Sequence, residues 1–407
     1  MKKTLDDVSL INKVVLARFD LNVPFNPDGT ISDFNRIKKV LPTIKEIVKS
    51  AKTLVIISHL GRIKKEADKE KLTLRPVYDV FKKILSDDNL NVSFEAATDF
   101  EHVKTRISNI NQTDILFLEN TRYYDVQNDT QVNWESKCND ELARFYASLA
   151  DVFVNDAFGT GHRKHASNYG VAKYSKEAVV GRLVEKELTA LEPILINPKR
   201  PFLAILGGAK VSDKIGILST FLEKADQVLI GGGMSYTFIS SQGKKIGTSI
   251  FEKDRVELAN ELLHKYANKI ILPVDYVGTN EFSNDSDKHY FVDEIPDGMM
   301  GLDIGKNSIK QFIKVIAKAK TILWNGPMGV FEFPKYAIGT MAIAKAVGKT
   351  DGYVVIGGGD SVAAVNQLDL NEYHFNHVST GGGALLTILE GKELIGFKPI
   401  PEQSNEK

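Results

Sequence analysis

Arginine is scarce in this chain, and its placement carries the first chemical signal. Only 11 of the 52 basic residues are arginine; eight precede residue 164 and none follows Arg255. Several of the early ones keep company: Arg18 with Asp20 and Asn22, His59 with Arg62, Asn120 with Arg122, and Asn155 with Arg163. Each group closely follows a short β-branched run, and ligands of open α/β sheets bind at the carboxyl ends of the strands. A guanidinium grips a carboxylate or phosphate through two parallel hydrogen bonds. Any one of these arginines reads better as solvated surface charge. Taken together they predict a site for an anionic substrate.

Glycine shows the opposite asymmetry. Gly207-Gly208, Gly231-Gly232-Gly233, Gly357-Gly358-Gly359 and Gly381-Gly382-Gly383 all lie after residue 200, each between an apolar run and a helical pattern. Glycine there lets backbone N–H groups approach a phosphate at the positive end of a helix. One such cluster is equally a tight turn; four predict a nucleotide site. Known fingerprints fail, however. Ile343 stands where a P-loop ending in Gly348-Lys349-Thr350 needs glycine, and no cluster satisfies G-x-G-x-x-G, which argues against a dehydrogenase. His162-Arg163-Lys164-His165 is a poor zinc site, with two cations between its histidines. The H-R-D and D-F-G motifs of protein kinases are absent.

The elements that must position these residues alternate along the chain. Strand runs are expected at 14–19, 53–58, 91–95, 114–118 and 152–155, then at 202–206, 227–230, 270–274, 321–324 and 353–356. Helical spacing separates them, as in Ile37–Lys49, Pro76–Leu85 and Asp140–Leu149. Ten runs exceed one ordinary open sheet and predict an α/β fold of two doubly wound, parallel-sheet, Rossmann-like domains. A long helix over 177–192, with Leu183, Leu188 and Leu191 on one face, should join them before Pro193, Pro198 and Pro201 break the pattern. The chain has 407 residues, with 52 Lys+Arg balancing 52 Asp+Glu, so neither nucleic acid nor membrane is expected as a partner. A single cysteine, Cys138, and an N-terminus without a secretory apolar stretch argue for an intracellular, cytoplasmic protein.

Longer blocks carry a family resemblance. Ala17-Arg18-Phe19-Asp20-Leu21-Asn22-Val23-Pro24, Ser58-His59-Leu60-Gly61-Arg62, Leu118-Glu119-Asn120-Thr121-Arg122 and Asn155-Asp156-Ala157-Phe158-Gly159-Thr160-Gly161-His162-Arg163 resemble the N-terminal signatures of the phosphoglycerate kinases. Leu206-Gly207-Gly208-Ala209-Lys210-Val211-Ser212-Asp213-Lys214, Trp324-Asn325-Gly326-Pro327-Met328-Gly329, Gly357-Gly358-Gly359-Asp360-Ser361 and Val378-Ser379-Thr380-Gly381-Gly382-Gly383 continue the match. The resemblance implies that family's fold and a reversible transfer between 1,3-bisphosphoglycerate and ADP, giving 3-phosphoglycerate and MgATP.

It also implies roles. Substrate binding falls on Asp20, Asn22, Arg36, His59, Arg62, Arg122 and Arg163, and catalysis on Arg36, Lys210, Gly358 and Gly381. Nucleotide binding falls on Lys214, Gly208, Gly232, Gly301, Asn325, Glu332, Gly358, Gly359, Asp360 and Ser361, with Asp360 holding Mg²⁺. The implied domains are 1–176 for the acid substrate, 177–192 as linking helix and 193–385 for the nucleotide, with 386–407 crossing back onto the first. Hinges are expected near Ser379-Thr380 and at both ends of the linking helix, in a monomer. A two-lobed binding protein without chemistry is the alternative. Five positions depart from the family pattern: Ile63, Arg182, Leu385, Thr387, and Lys306, expected near the adenine side.

Overall fold

The apolar runs pair as parallel strands because residues buried on both faces of a sheet must be apolar throughout. The computed structural model describes residues 1–86, 90–110, 114–367, 375–379 and 381–403. The chain divides into two units, Met1–Leu188 with Glu393–Lys407, and Thr189–Lys392.

In the first unit, β1 (Val14–Phe19), β2 (Thr53–Ile57), β3 (Val92–Glu95), β4 (Asp114–Leu118), β7 (Val152–Asp156) and β8 (Glu177–Val180) form one sheet in the order β3-β4-β2-β1-β7-β8. The strands β5 (Val126–Gln127) and β6 (Thr130–Gln131) make a separate hairpin. Every pairing in the large sheet is parallel, and Arg18 stands opposite Ile57 on one side and Asn155 on the other. That register brings the residues after β1, β2 and β7 to one sheet edge. Helices Asn35–Ile47 and Arg75–Ser86 cover the sheet with Ile37, Val40, Ile44 and Ile47, and with Val77, Phe81 and Leu85. These spacings make one apolar stripe per helix, each side chain contributing roughly 1.5–3 kcal/mol on burial.

The expected helix over 177–192 is corrected at its start. Glu177–Val180 is the edge strand β8, with Ala178, Val179 and Val180 buried against β7. Two adjacent valines suit a pleated surface better than a first helical turn. The helix occupies Arg182–Leu195 and ends two residues beyond Pro193. Along the tail, the helix Gly383–Leu389 belongs to the second unit, and the return to the first comes at Glu393. There the Gly396 N–H donates to the Gly161 carbonyl at 2.7 Å, and the Lys3 N–H to the Pro401 carbonyl at 2.8 Å.

In the second unit, β9 (Phe202–Leu206), β10 (Gln227–Ile230), β11 (Ile270–Ile271), β15 (Thr321–Asn325), β16 (Tyr353–Gly357) and β17 (His377–Val378) form a parallel sheet ordered β11-β10-β9-β15-β16-β17. The run at 270–274 pairs only over Ile270–Ile271, since Pro273 offers no N–H to a ladder. A feature absent from the sequence reading is an antiparallel sheet of β12 (Asp275–Thr279), β13 (His289–Val292) and β14 (Met300–Ile304), ordered β13-β12-β14. Among the described residues no helix is long and apolar enough to cross a membrane.

Candidate active site

In the first unit the sheet edge assembles the early arginines around a buried hydrogen-bond frame. Arg18 is wholly buried and spends its donors inside the protein, on His59 Nδ1 at 3.0 Å and Ser167 Oγ at 3.4 Å. It therefore orients His59 rather than meeting a ligand. Burial, with the Arg18 charge beside it, pushes the His59 imidazole well below its ordinary value, so the ring is neutral. Burial would raise the Asp20 carboxyl, yet neighbouring positive charge holds it down. With His59 neutral, Arg36 and Arg18 supply that charge, and Arg36 donates directly to Asp20.

Asparagines lock the loops between these groups. Asn22 Oδ1 accepts from the Gly61 N–H at 2.8 Å, next to Arg62. Asn120 is completely buried; its Oδ1 accepts from Leu60 and Arg122 N–H groups, and its amide donates to the Leu60 and Leu72 carbonyls. One side chain thus sets the loops that carry Arg62 and Arg122. The sequence pairs Asn120 with Arg122 but carries no signal of this positioning role.

The charges of Arg18, Arg62, Arg122 and Arg163 act on one another or on a common neighbour, with Asp20, Asp125 and Glu135 the acids among them. Arg122 is 8% exposed, pairs with Asp125 at 3.7 Å, reaches Ser136 Oγ at 3.3 Å, and still leaves a buried Nε with no partner. Burial lowers the Arg163 pKa, and the Arg122 charge lowers it further. His165 is driven down to about 3 by burial and then by Arg122, Arg18 and Arg163. An unpaired buried donor among mutually repelling cations is costly, and an anion bound there would relieve both costs. Among the expected substrate residues, Asp20, Arg36 and His59 are joined by direct contacts, and Asn22 and Arg122 by their loops. Arg62 is exposed, and its charge is felt at Arg163.

In the second unit the glycine turns surround a cavity of about 760 Å³, lined by Gly208, Gly232, Gly301, Glu332 and Asp360 among others. Gly232 has φ +65°, and a Cβ there would lie 2.7 Å from the Gly208 nitrogen and 2.9 Å from the Pro327 oxygen. Only glycine lets these turns pack. At Gly301 a Cβ would strike Tyr236 Oη at 2.3 Å. The apolar wall comes from Tyr236, Ile250, Leu302, Val330 and Phe331. None is assigned to the site from sequence, since an apolar residue in a helix, loop or antiparallel strand has no signal that separates ligand wall from core.

The remaining expected residues act beside the cavity. Lys214 donates to Asn325, whose amide donates to the Gly357 carbonyl at 2.9 Å, tying the ends of β15 and β16. Burial lowers the Lys214 pKa, opposed by the Asp360 and Asp213 charges. Ser361 Oγ is buried and accepts from the Gly326 N–H at 2.6 Å. Gly358, at φ +94°, turns the chain into the helix Gly359–Gln367, which carries exposed Asp360 in its first turn. Lys210 is exposed, and its charge is felt at Glu252. The Gly381 N–H already donates to Ser379 Oγ at 3.2 Å. Thr380, the other expected hinge residue, lies outside the described residues.

Among the described residues, no three His, Cys, Asp or Glu side chains form a metal cage. Asp360, one of two exposed carboxylates lining the cavity with Glu332, fits a cation that arrives with nucleotide phosphates and keeps its waters, as Mg²⁺ does. Of the departures, Leu385 is buried against Gly357, and Ile63 is buried as well. Lys306 does not line this cavity. It lines a second one, of about 460 Å³.

Two α/β units with parallel sheets, one carrying an arginine cluster suited to an anion and the other a glycine-turn cavity of about 760 Å³, are what a phosphotransferase acting on an anionic substrate and a nucleotide requires. The family model for phosphoglycerate kinase matches residues 5–392. A phosphoglycerate kinase of Limosilactobacillus reuteri is 48% identical over 404 residues, covering 99% of this chain and all of the relative. One of Lactiplantibacillus plantarum is 48% identical over 403 residues, with 99% and 100% covered. The solved structure of the Coxiella burnetii phosphoglycerate kinase superposes with a TM-score of 0.87 at 36% identity, covering 98% of this chain and 99% of that one. The chain belongs to the phosphoglycerate kinase family. The non-catalytic alternative finds no support among these relatives.

Proposed function

We propose that this enzyme transfers a phosphoryl group reversibly between the acyl phosphate of 1,3-bisphosphoglycerate and ADP, giving 3-phosphoglycerate and ATP. The observation that carries the acid-substrate half is the buried, unpartnered Arg122 Nε among the charges of Arg62, Arg163 and Arg18. On this reading Arg62, Arg122, Arg163 and His59 hold the phosphate that does not move. Asp20 and Asn22 orient the hydroxyl and the acid. Both acceptors, a carboxylate and a nucleotide phosphate, are already anionic, so no general base is required and catalysis is positioning plus charge stabilisation.

Arg36 and Lys210 offset the negative charge on the moving group, aided by backbone N–H groups near Gly358 and Gly381. Gly208, Gly232, Gly301 and Gly359 give the nucleotide close backbone approach. Glu332 meets the ribose, and Lys214, Asn325 and Ser361 hold the phosphate loops in place. Mg²⁺ bound with the nucleotide at Asp360 would neutralise charge between the phosphates. The first unit is the acid-substrate domain and the second the nucleotide domain of a cytoplasmic monomer. In-line transfer requires the two ligands to meet, so turnover includes a hinged closure that excludes water from the acyl phosphate.

The test is ADP formation from 3-phosphoglycerate and MgATP in a coupled assay. Turnover that depends on both substrates is expected; tight binding of both without turnover would refute the reading. Small-angle scattering should show compaction only with both ligands present.

A further inference from the structure

The second cavity lies on the far half of β14. Met300, Gly301 and Leu302 line the nucleotide-sized cavity, whereas Asp303 and Ile304 line the other. The segment after β15 is shared in the same way, Pro327 and 329–333 on one side and Lys335 with Ile338 on the other. The second cavity has an apolar body, with Val277, Phe291, Ile304 and Ile309 in its wall and the exposed ring of Tyr290 at its edge.

Its charged groups divide into satisfied acids and unmatched bases. Asp275 accepts from the Asn307 N–H at 2.9 Å and from the Ser308 N–H at 2.8 Å, capping the helix Lys306–Ile316. Asp303 accepts from the Ile304 N–H at 2.9 Å and the Gly339 N–H at 2.7 Å. Both carboxylates are therefore engaged by backbone donors. Lys288, Lys306 and Lys335 also line the cavity, from three separate segments. Lys288 and Lys335 donate to neutral carbonyls, those of Lys335 at 3.4 Å and Ser286 at 3.1 Å; Lys288 also lies over the Tyr290 ring at 5.5 Å, and its charge is felt at Asp303. Lys306 makes no hydrogen bond or ion pair within the described residues. It also sits in the first turn of its helix, where the helix dipole disfavours a cation. Helix stability does not explain that lysine.

We propose that this cavity is a second ligand site, for a small organic anion whose flat apolar body lies along Val277, Phe291 and Ile309 and whose acidic group meets Lys306, Lys288 and Lys335. Because β14 and the segment after β15 wall both cavities, the ligand acts as an effector of nucleotide binding. This last step rests on the nucleotide occupying the larger cavity.

The probe is anilinonaphthalene sulfonate, a fluorescent aromatic anion, titrated into the full chain with saturating MgADP present. Saturable binding at one site is expected, weakened about tenfold or more by Lys306→Glu, the loss of roughly one charged contact. That substitution places an acid in a helical first turn, so the fold is not at risk, and an unchanged melting temperature checks it. Lys335→Glu should weaken the probe similarly. Occupancy should in turn change the MgADP dissociation constant about threefold or more, by reciprocal linkage. Displacement of the probe by MgADP, or equal probe affinity in both lysine variants and the parent, overturns the site. Unchanged MgADP affinity at full probe occupancy overturns the coupling. Failure of MgADP to bind at all would instead strike the proposed function, while the lysine dependence would still decide the site.

Discussion

His165 is a titratable probe inside the arginine cluster, its pKa set first by burial and then by the surrounding positive charge. Its imidazole is buried, with Nδ1 3.6 Å from Glu135 and without a hydrogen-bond partner. Its pKa falls from 6.5 to about 3, through burial first and then the charges of Arg122, Arg18, Arg163 and His162. A folded pKa below the unfolded one means the fold favours the neutral ring. The contribution is therefore fully present above about pH 6.5 and is lost as pH falls towards about 3. Between about pH 8 and pH 5 the unfolded chain takes up nearly one proton at this position and the folded chain almost none. Integrating over that interval gives a loss of about 2 kcal/mol from His165.

His59 is also buried and neutral and adds a loss of the same sign, so the comparison must be differential. His165→Gln removes the titration and keeps a polar side chain. Trp134 lies in the first unit and Trp324 in the second, so fluorine-labelled tryptophan reports each unit's urea unfolding separately. At the Trp134 signal, the parent should lose about 2 kcal/mol more than His165→Gln on going from about pH 8 to pH 5. Bound 3-phosphoglycerate should raise the His165 pKa, because it brings negative charge to the same guanidiniums. Equal pH dependence in the two proteins, or an imidazole signal titrating near 6.5, would refute the reasoning.

Arg36→Ala should lower turnover by about two orders of magnitude or more while leaving MgADP affinity nearly intact; a collapse of nucleotide affinity, read by calorimetry, would contradict the assignment. Gly232→Ala forces a left-handed backbone and sets a Cβ 2.7 Å from the Gly208 nitrogen. It should cost about 2–4 kcal/mol at the Trp324 signal and weaken MgADP at least about tenfold. Arg182 bonds to Asp6, Glu46 and Glu185, so Arg182→Leu leaves three acids without their cation. A loss of about 1–2 kcal/mol is expected at the Trp134 signal, shrinking as salt is raised; a salt-independent loss would assign it to packing instead.

Much of the protein was legible in its residues. The β-branched runs marked most strands of the two parallel sheets, since a strand buried on both faces has to be apolar. Arginine and glycine usage marked the arginine cluster and the glycine-lined cavity, because gripping an anion and admitting a phosphate to the backbone demand particular residue types. Periodicity misread Glu177–Val180, where the three apolar residues Ala178, Val179 and Val180 serve an edge strand as well as a helix. The antiparallel sheet of β12, β13 and β14 escaped notice, its strands being short and half exposed or broken by Gly278 at a bulge.

What only the tertiary structure decided is who touches whom. Sequence placed Arg18 in the same class as Arg122, yet one spends its donors on His59 and Ser167 and the other keeps a buried Nε unpaired. Lys306 is expected near the adenine side, five residues after Gly301, and the two residues line different cavities. Residue type determines which interactions a side chain is able to make. Burial and the partners already satisfied determine which remain available to a ligand, and both arise from contacts between segments far apart in the chain.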